Sequence, residues 1–278
     1  MTSRGLLLLV VSVSGCAPAL SSLQPAHVAE EGHVQVELGM DVSIPTGTIA
    51  STIDAGDALA AAAEARELTE QERKRVFDAG VALALNPPSV VQHLGVGYTV
   101  VENLEVNLRY SISAIRGGAR YQLLELDKHG VDLTVGLGVG RYVYAFPVGS
   151  VLDIVELEDF ERWQFDLPIA VGTRGDWYRV WGGPRLMLTT FGTKLTMNLP
   201  AFTGYGGERE LASFSGEGFY VGGQAGAALG YKKVFFGVEL TMVELLSSGR
   251  LDAFGQKGLE VDIDSFIVYP SFGLMGEF

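Results

Sequence analysis

Cysteine is almost absent from this 278-residue chain: Cys16 is the only one, so no disulfide can join two parts of it. Charge is also scarce, at 19% of residues, and the 20 basic side chains are outnumbered by 33 acidic ones, for a formal net charge of −13. That balance excludes the polyanionic backbone of a nucleic acid as a partner. Past the N-terminus, no apolar run approaches the ~18 residues of a helical membrane span. Glycine, by contrast, is plentiful at 36 residues, and apolar residues make up 47%. Mean hydropathy is +0.24, high for so acidic a chain. An apolar chain with no spanning helix is either a soluble all-β domain or a membrane barrel that crosses with alternating strands.

Alternation is present. From His33 to Ile44, Val34, Val36, Leu38, Met40, Val42 and Ile44 share one parity, with polar residues and glycine on the other. Such strict alternation indicates a strand. The same pattern predicts strands over about 90–101, 104–113, up to 126, 131–146, 162–173, 177–191, 219–231, 234–245 and the C-terminal stretch, ten in all. Turns are expected at Glu102-Asn103, Gly117-Gly118, Asp127 to Gly130, Arg174 to Asp176 and Lys232-Lys233. Long loops are expected over 151–161, 192–218 and 246–262. Between Pro45 and Pro88 the alternation stops. An Ala-rich run from Asp54 and a capping box at Thr69 to Glu72 predict a helical insertion over about 54–85, ended by Asn86-Pro87-Pro88. At Arg141 the apolar parity carries a charge, so either the strand has left the membrane there or a bulge shifts its register.

The chain ends SFIVYPSFGLMGEF. Counting back from Phe278 in twos gives Gly276, Leu274, Phe272, Pro270, Val268 and Phe266, an apolar set, while the other parity is mixed. This end resembles the C-terminal strand of bacterial outer-membrane β-barrels of the small porin-like or OmpA-like class. The resemblance implies that Phe278 is an assembly signal read by the barrel-assembly machinery. Gly276 departs from the bulky residue usual there, and Pro270 brings no N–H to a closing ladder. At the other end, Arg4, the apolar run from Gly5 to Val13 and Val13-Ser14-Gly15-Cys16 resemble a lipoprotein signal peptide and lipobox, with an ordinary signal peptide and a chance cysteine as the alternative. The resemblance implies acylation (diacyl, palmitate-type) of Cys16 after removal of residues 1–15. Residues 16–32, small, polar and Pro-containing, then read as a periplasmic tether, and 33–278 as the barrel.

Three features point the apolar face outward. Aromatics fall in two tiers, with Tyr110, Tyr121, Trp163, Phe219 and Phe266 toward the long loops and Tyr98, Tyr178, Tyr231, Phe236 and Phe278 toward the short turns. The other face is Gly-rich. It also holds opposite charges able to pair across a lumen: Glu37, Asp41, Glu105, Asp132, Asp166 and Glu239 with Arg109, Arg120, Arg179 and Arg185. This network either seals the lumen or lines a pore; ten strands lie near the limit at which side chains fill a barrel.

Motifs for chemistry are sparse. Of four histidines, His93 alone lies near the outer rim, with Ser89 nearby, and no spacing ties them into a relay. The acidic stretch Asp153 to Glu161 and Asp262/Asp264 follow no calcium-loop spacing and read as solvated loop. No catalytic residue, metal or cofactor is expected. The sequence therefore predicts an all-β chain, a single antiparallel transmembrane barrel of about ten strands with a helical insertion in the first external loop. Its expected place is the bacterial outer membrane, lipid-anchored at the periplasmic leaflet. Its expected role is structural or surface-binding and non-enzymatic, with outer-membrane lipids and a surface protein as partners. A narrow porin-like channel for small solutes is the alternative, and a rim-located hydrolase a more distant one.

Overall fold

A computed structural model of the chain describes residues 18–63, 79, 82, 86–143, 155–198, 209–253 and 256–278. Ten antiparallel strands close into a barrel in sequence order. They are β1 (Val34–Pro45), β2 (Ser89–Val101), β3 (Leu104–Ser111), β4 (Ala114–Leu124), β5 (Asp132–Tyr142), β6 (Val155–Arg174), β7 (Tyr178–Asn198), β8 (Arg209–Tyr231), β9 (Val234–Ala253) and β10 (Gln256–Glu277). Helix α1 (Thr46–Ala63) follows β1, and a single turn, α2 (Leu126–His129), joins β4 to β5. Closure is direct. β1 and β10 run in register from Gln35 opposite Glu277 to Pro45 opposite Ile267. Val34 and Phe278 exchange main-chain hydrogen bonds of 2.8 and 2.9 Å at its end.

Both irregularities of the last strand have local causes. Opposite Pro270 the β1–β10 pairing is interrupted between Asp41 and Ile44, as a missing N–H requires. At Gly276 a Cβ would lie 2.6 Å from the Phe278 ring, so the terminal aromatic folds over the glycine and fills the gap in the apolar stripe. Arg141 keeps the β4–β5 register without a bulge. It is exposed, 3.5 Å from Glu161 and over the Trp163 ring, as expected of a strand that has passed the apolar belt.

The outer surface carries that belt. Leu38, Leu94, Leu108, Leu137 (70% exposed), Leu229, Tyr231 (75%), Phe236 and Leu274 all point outward, while the alternate parity turns into the lumen and is buried. Apolar outside and polar inside is the pattern of a barrel solvated by lipid. No helix among the described residues is long and apolar enough to cross a membrane.

Several expectations are corrected. Gly117 and Gly118 lie inside β4, opposite Leu108 and Asn107, and the turn falls at Ile112-Ser113. Gly118 is there for packing, since a Cβ would lie 2.8 Å from the Leu137 carbonyl oxygen. Tyr121 accordingly sits opposite Leu104 at the short-turn end, in the other aromatic tier. The stretches expected as long loops are largely strand. β7 and β8 continue to Asn198 and from Arg209, β9 and β10 to Ala253 and from Gln256, and β6 begins at Val155. These stretches are rich in glycine and charged residues, and so read as loops in the sequence. The helix after β1 starts at Thr46, earlier than 54; beyond Ala63 only Ala79 and Ala82 of the second expected helix are described. Residues 1–17, including Cys16, and residues 144–154 and 199–208, within or beside the stretches expected as loops, lie outside the described residues.

Candidate functional site

The expected periplasmic tether is a lumen plug. Residues 18–23 and 25–29 are buried, with Leu20 at 0% exposure, and they run up the inside of the barrel. The segment enters at the short-turn end, where Glu30, Glu31 and Gly32 are exposed and Gly32 (φ 82°) reverses the chain into β1. Its path follows from its contacts. His27 meets Glu277 and Arg179 at the last residues of β10 and the first of β7. Leu23 packs beside Met275, and Leu20 beside Tyr269 and Ile267. Ala19 meets Gln164 on β6. The N-terminal direction therefore points toward the end where the strands are longest.

The plug forms no strand ladder with the wall, so its main chain must be satisfied by side chains. Arg185 Nε donates to the Leu20 carbonyl at 2.8 Å, Arg109 Nη1 to that of Ser21 at 2.5 Å and Arg120 Nη1 to that of Pro25 at 2.7 Å. Gln164 Nε2 donates to the Ala19 carbonyl at 3.2 Å. In the opposite sense, the Ser22 amide donates to Glu239 at 3.0 Å and the Val28 amide to Gln122 at 2.7 Å.

Each of the three arginines divides its donors between a plug carbonyl and a wall carboxylate. Arg120 grips Glu105 with two bonds of 2.8 Å, Arg109 lies 3.1 Å from Asp41 and 3.4 Å from Glu37, and Arg185 donates to Asp166 at 2.6 Å. Charge-assisted bonds of this kind are the strong class, and a guanidinium has enough donors for both. The remaining expected charges find other partners. Arg179 pairs with Glu277 at 2.8 Å, Glu239 accepts from Trp181 Nε1 at 2.8 Å, and Asp132 accepts from Gln122 and the Leu126 amide and lies 3.3 Å from Arg174. Glycine makes room for these side chains. A Cβ at Gly97 would lie 2.7 Å from the Glu105 carboxylate, and one at Gly226 would run into the Trp181 ring.

Two apolar pockets take the plug's leucines. Leu20 sits among Met187, Tyr220, Val243, Leu245, Ile267 and Tyr269, and Leu23 among Ala26, Ala170, Trp181, Ala228, Phe235 and Met275. Leu23 adopts φ 44°, a left-handed conformation that costs a leucine about 1–2 kcal/mol. Full burial of its side chain, worth about 1.5–3 kcal/mol, offsets this.

Sequence reasoning missed these pockets, and also Arg116 (3.0 Å from Asp166), Gln122, Gln164, Glu277 and His27. The signal was the mixed parity of the last strand. Met275, Tyr269 and Ile267 are apolar residues on the lumen face, which only an apolar occupant explains. His93 is 2% exposed and its Nδ1 lies 3.1 Å from Asp41, so it faces a buried carboxylate, away from any open rim. Neither Ser89 Oγ nor His93 Nε2 has a hydrogen-bond partner among the described residues, so the two form no nucleophile–base contact. Next to the plug a cavity of about 30 Å³ remains, lined by Gln35, Glu37, Glu105, Arg109 and Arg179, room for a water or two.

Outside the belt, Glu125 accepts from Lys128 Nζ at 2.9 Å and from Asn103 at 3.2 Å. These bonds, the lysine's first, hold its carboxyl below the ordinary value and raise the lysine's.

No protein-family model and no curated protein matches the chain. Solved structures similar to it are outer-membrane barrels. The outer membrane protease OmpT of Escherichia coli is 8% identical at TM-score 0.46, over 94% of this chain and 100% of that one. Neisserial surface protein A is 10% identical at TM-score 0.31, over 91% and 100%. The N-terminal barrel domain of Pseudomonas aeruginosa OprF is 8% identical at TM-score 0.22, over 90% and 100%. Likeness this distant carries no activity, substrate or partner to this chain.

Proposed function

We propose that the chain is a closed, non-conducting barrel of the bacterial outer membrane with a structural or surface-binding role. One observation carries this reading: the lumen is occupied from the short-turn end upward by residues 18–29, whose side chains are buried against the wall. A solute path needs a continuous bore, and the buried segment stands across it. The surface that remains for a partner is the wall of β6 to β10 above the belt, together with α1. Buried His93 gives the rim-hydrolase reading no accessible base. The experiment is single-channel recording in planar bilayers. The intact chain should show no steps above background; steady conductance steps would overturn the reading in favour of the porin-like channel.

Assembly through Phe278, and acylation of Cys16 after removal of residues 1–15, belong to this proposal, and the plug constrains the second. Gln164, which holds Ala19, lies ten residues along β6 from Arg174 (164 to 174), about 25 Å along the barrel axis for a tilted strand. That is about the height of the apolar belt. Cys16 is three residues before Ala19, at most about 10 Å of chain. With the plug seated, acyl chains on Cys16 cannot reach the leaflet at the short-turn end. The plug must then withdraw for an anchor on Cys16 to reach the periplasmic leaflet. Acyl labelling that persists in Cys16→Ser would overturn acylation at Cys16.

A further inference from the structure

The segment in the lumen has the properties of a ligand more than those of a wall. The barrel closes without it, since β1 pairs directly with β10 on one side and with β2 on the other. Its hydrogen bonds from the wall go mainly to backbone carbonyls and amides, which every peptide presents. Between Pro18 and Ala29 it carries no aspartate, glutamate, lysine or arginine. Side-chain selection is concentrated at two apolar pockets three residues apart, filled by Leu20 and Leu23. It joins β1 through the exposed residues Glu30 to Gly32.

We propose that the lumen is a binding site for an extended, uncharged polypeptide segment, held in cis by residues 18–29. The site reads main-chain groups plus two leucine-sized side chains at i and i+3. It has a direction: a peptide enters from the short-turn end, N-terminus first, and points that terminus at the extended end. Strand addition at a sheet edge is the common way to recognise an extended main chain. Here the barrel has no free edge, and arginine, glutamine and glutamate side chains replace the missing ladder.

The test uses the full chain with a protease site inserted between Glu31 and Gly32, cut after the barrel has folded in detergent. The cut segment should stay with the barrel through gel filtration. A labelled synthetic peptide of residues 18–29 should exchange into it saturably. The same peptide with Leu20→Asp and Leu23→Asp should bind at least about a hundredfold more weakly, from the loss of two buried leucines. Loss of the cut segment, with no saturable peptide binding to a barrel that still shows heat-modifiable migration, would overturn the proposal. A second variant avoids the insertion. In the uncut Leu20→Ser/Leu23→Ser chain the resident segment is weakened, and the labelled wild-type peptide should displace it; no binding there would overturn the proposal equally. Neither readout depends on conductance, so the site and the non-conducting role fail separately.

Discussion

The two halves of the lumen wall are built differently. β1 to β5 are 8–13 residues long and line the lumen mainly with ionic and amide side chains: Glu37, Asp41, His93, Glu105, Arg109, Arg116, Arg120, Gln122 and Asp132. β6 to β10 are 20–23 residues long, and their lumen face supplies the buried apolar wall residues clustered with the plug's two leucines. The plug follows this asymmetry with its leucines, which turn to the apolar wall, while its carbonyls are met from both halves, by Arg109 and Arg120 on one and by Gln164 and Arg185 on the other. A charged lumen is thus filled without a charged plug. The desolvation of the wall arginines is offset by carboxylates already beside them, and the plug adds neutral acceptors to donors left over.

The difference can be broken from either side. On the ionic wall, Arg120→Met strands Glu105 and the Pro25 carbonyl together. An uncompensated buried carboxylate costs about 3–5 kcal/mol, so this variant should show the largest fall in the temperature of heat-modifiable migration. Adding Glu105→Gln should restore much of the loss, and a double-mutant cycle with no coupling would mean that the ion pair contributes little. On the apolar wall, Leu23→Ala should cost about 3 kcal/mol, since alanine empties the pocket yet keeps the Cβ that strains the left-handed backbone. Fluorescence of Trp181, which borders that pocket, reports whether the plug loosens while the barrel stays folded. At the seam, Phe278→Ala uncovers Gly276 and removes one aromatic contact, a loss of about 1 kcal/mol read in the same melts, with slower assembly into membranes. The smallest effect is outside the lumen. Glu125 titrates below its ordinary 4.5 because Lys128 and Asn103 bond its charged form. The stabilisation is therefore present above about pH 4.5 and lost as pH falls through the lowered value. Glu125→Gln should therefore melt slightly below the wild type at neutral pH, and the two should converge as pH falls through the lowered value.

How much of this was legible follows from what enforces each pattern. Lipid on one side and a packed lumen on the other enforce alternation, so β1, β2, β3 and the closing strand can be read nearly residue by residue, as can the parity of Glu105, Arg109 and Arg120. The extensions of β6 to β10 are rich in glycine and charged residues, and could not be told from loops. Gly117-Gly118 looks like a turn because glycine pairs usually are; here the glycine meets the carbonyl of a neighbouring strand, a contact sequence distance hides. The plug was least legible. Its polar contacts are with residues more than 80 positions away, it has no period, and its composition is that of a linker.

The short link between plug and barrel also sets a concentration. His33 is all that separates the turn at Gly32 from β1, and Val34 is bonded to Phe278 at the seam. A segment held by so short a tether experiences its own site at millimolar or higher effective concentration. Even a modest intrinsic affinity then keeps the lumen occupied nearly all the time. Any peptide competing from solution must overcome that local excess, and a single cut beside Gly32 would remove it without touching one contact inside the barrel.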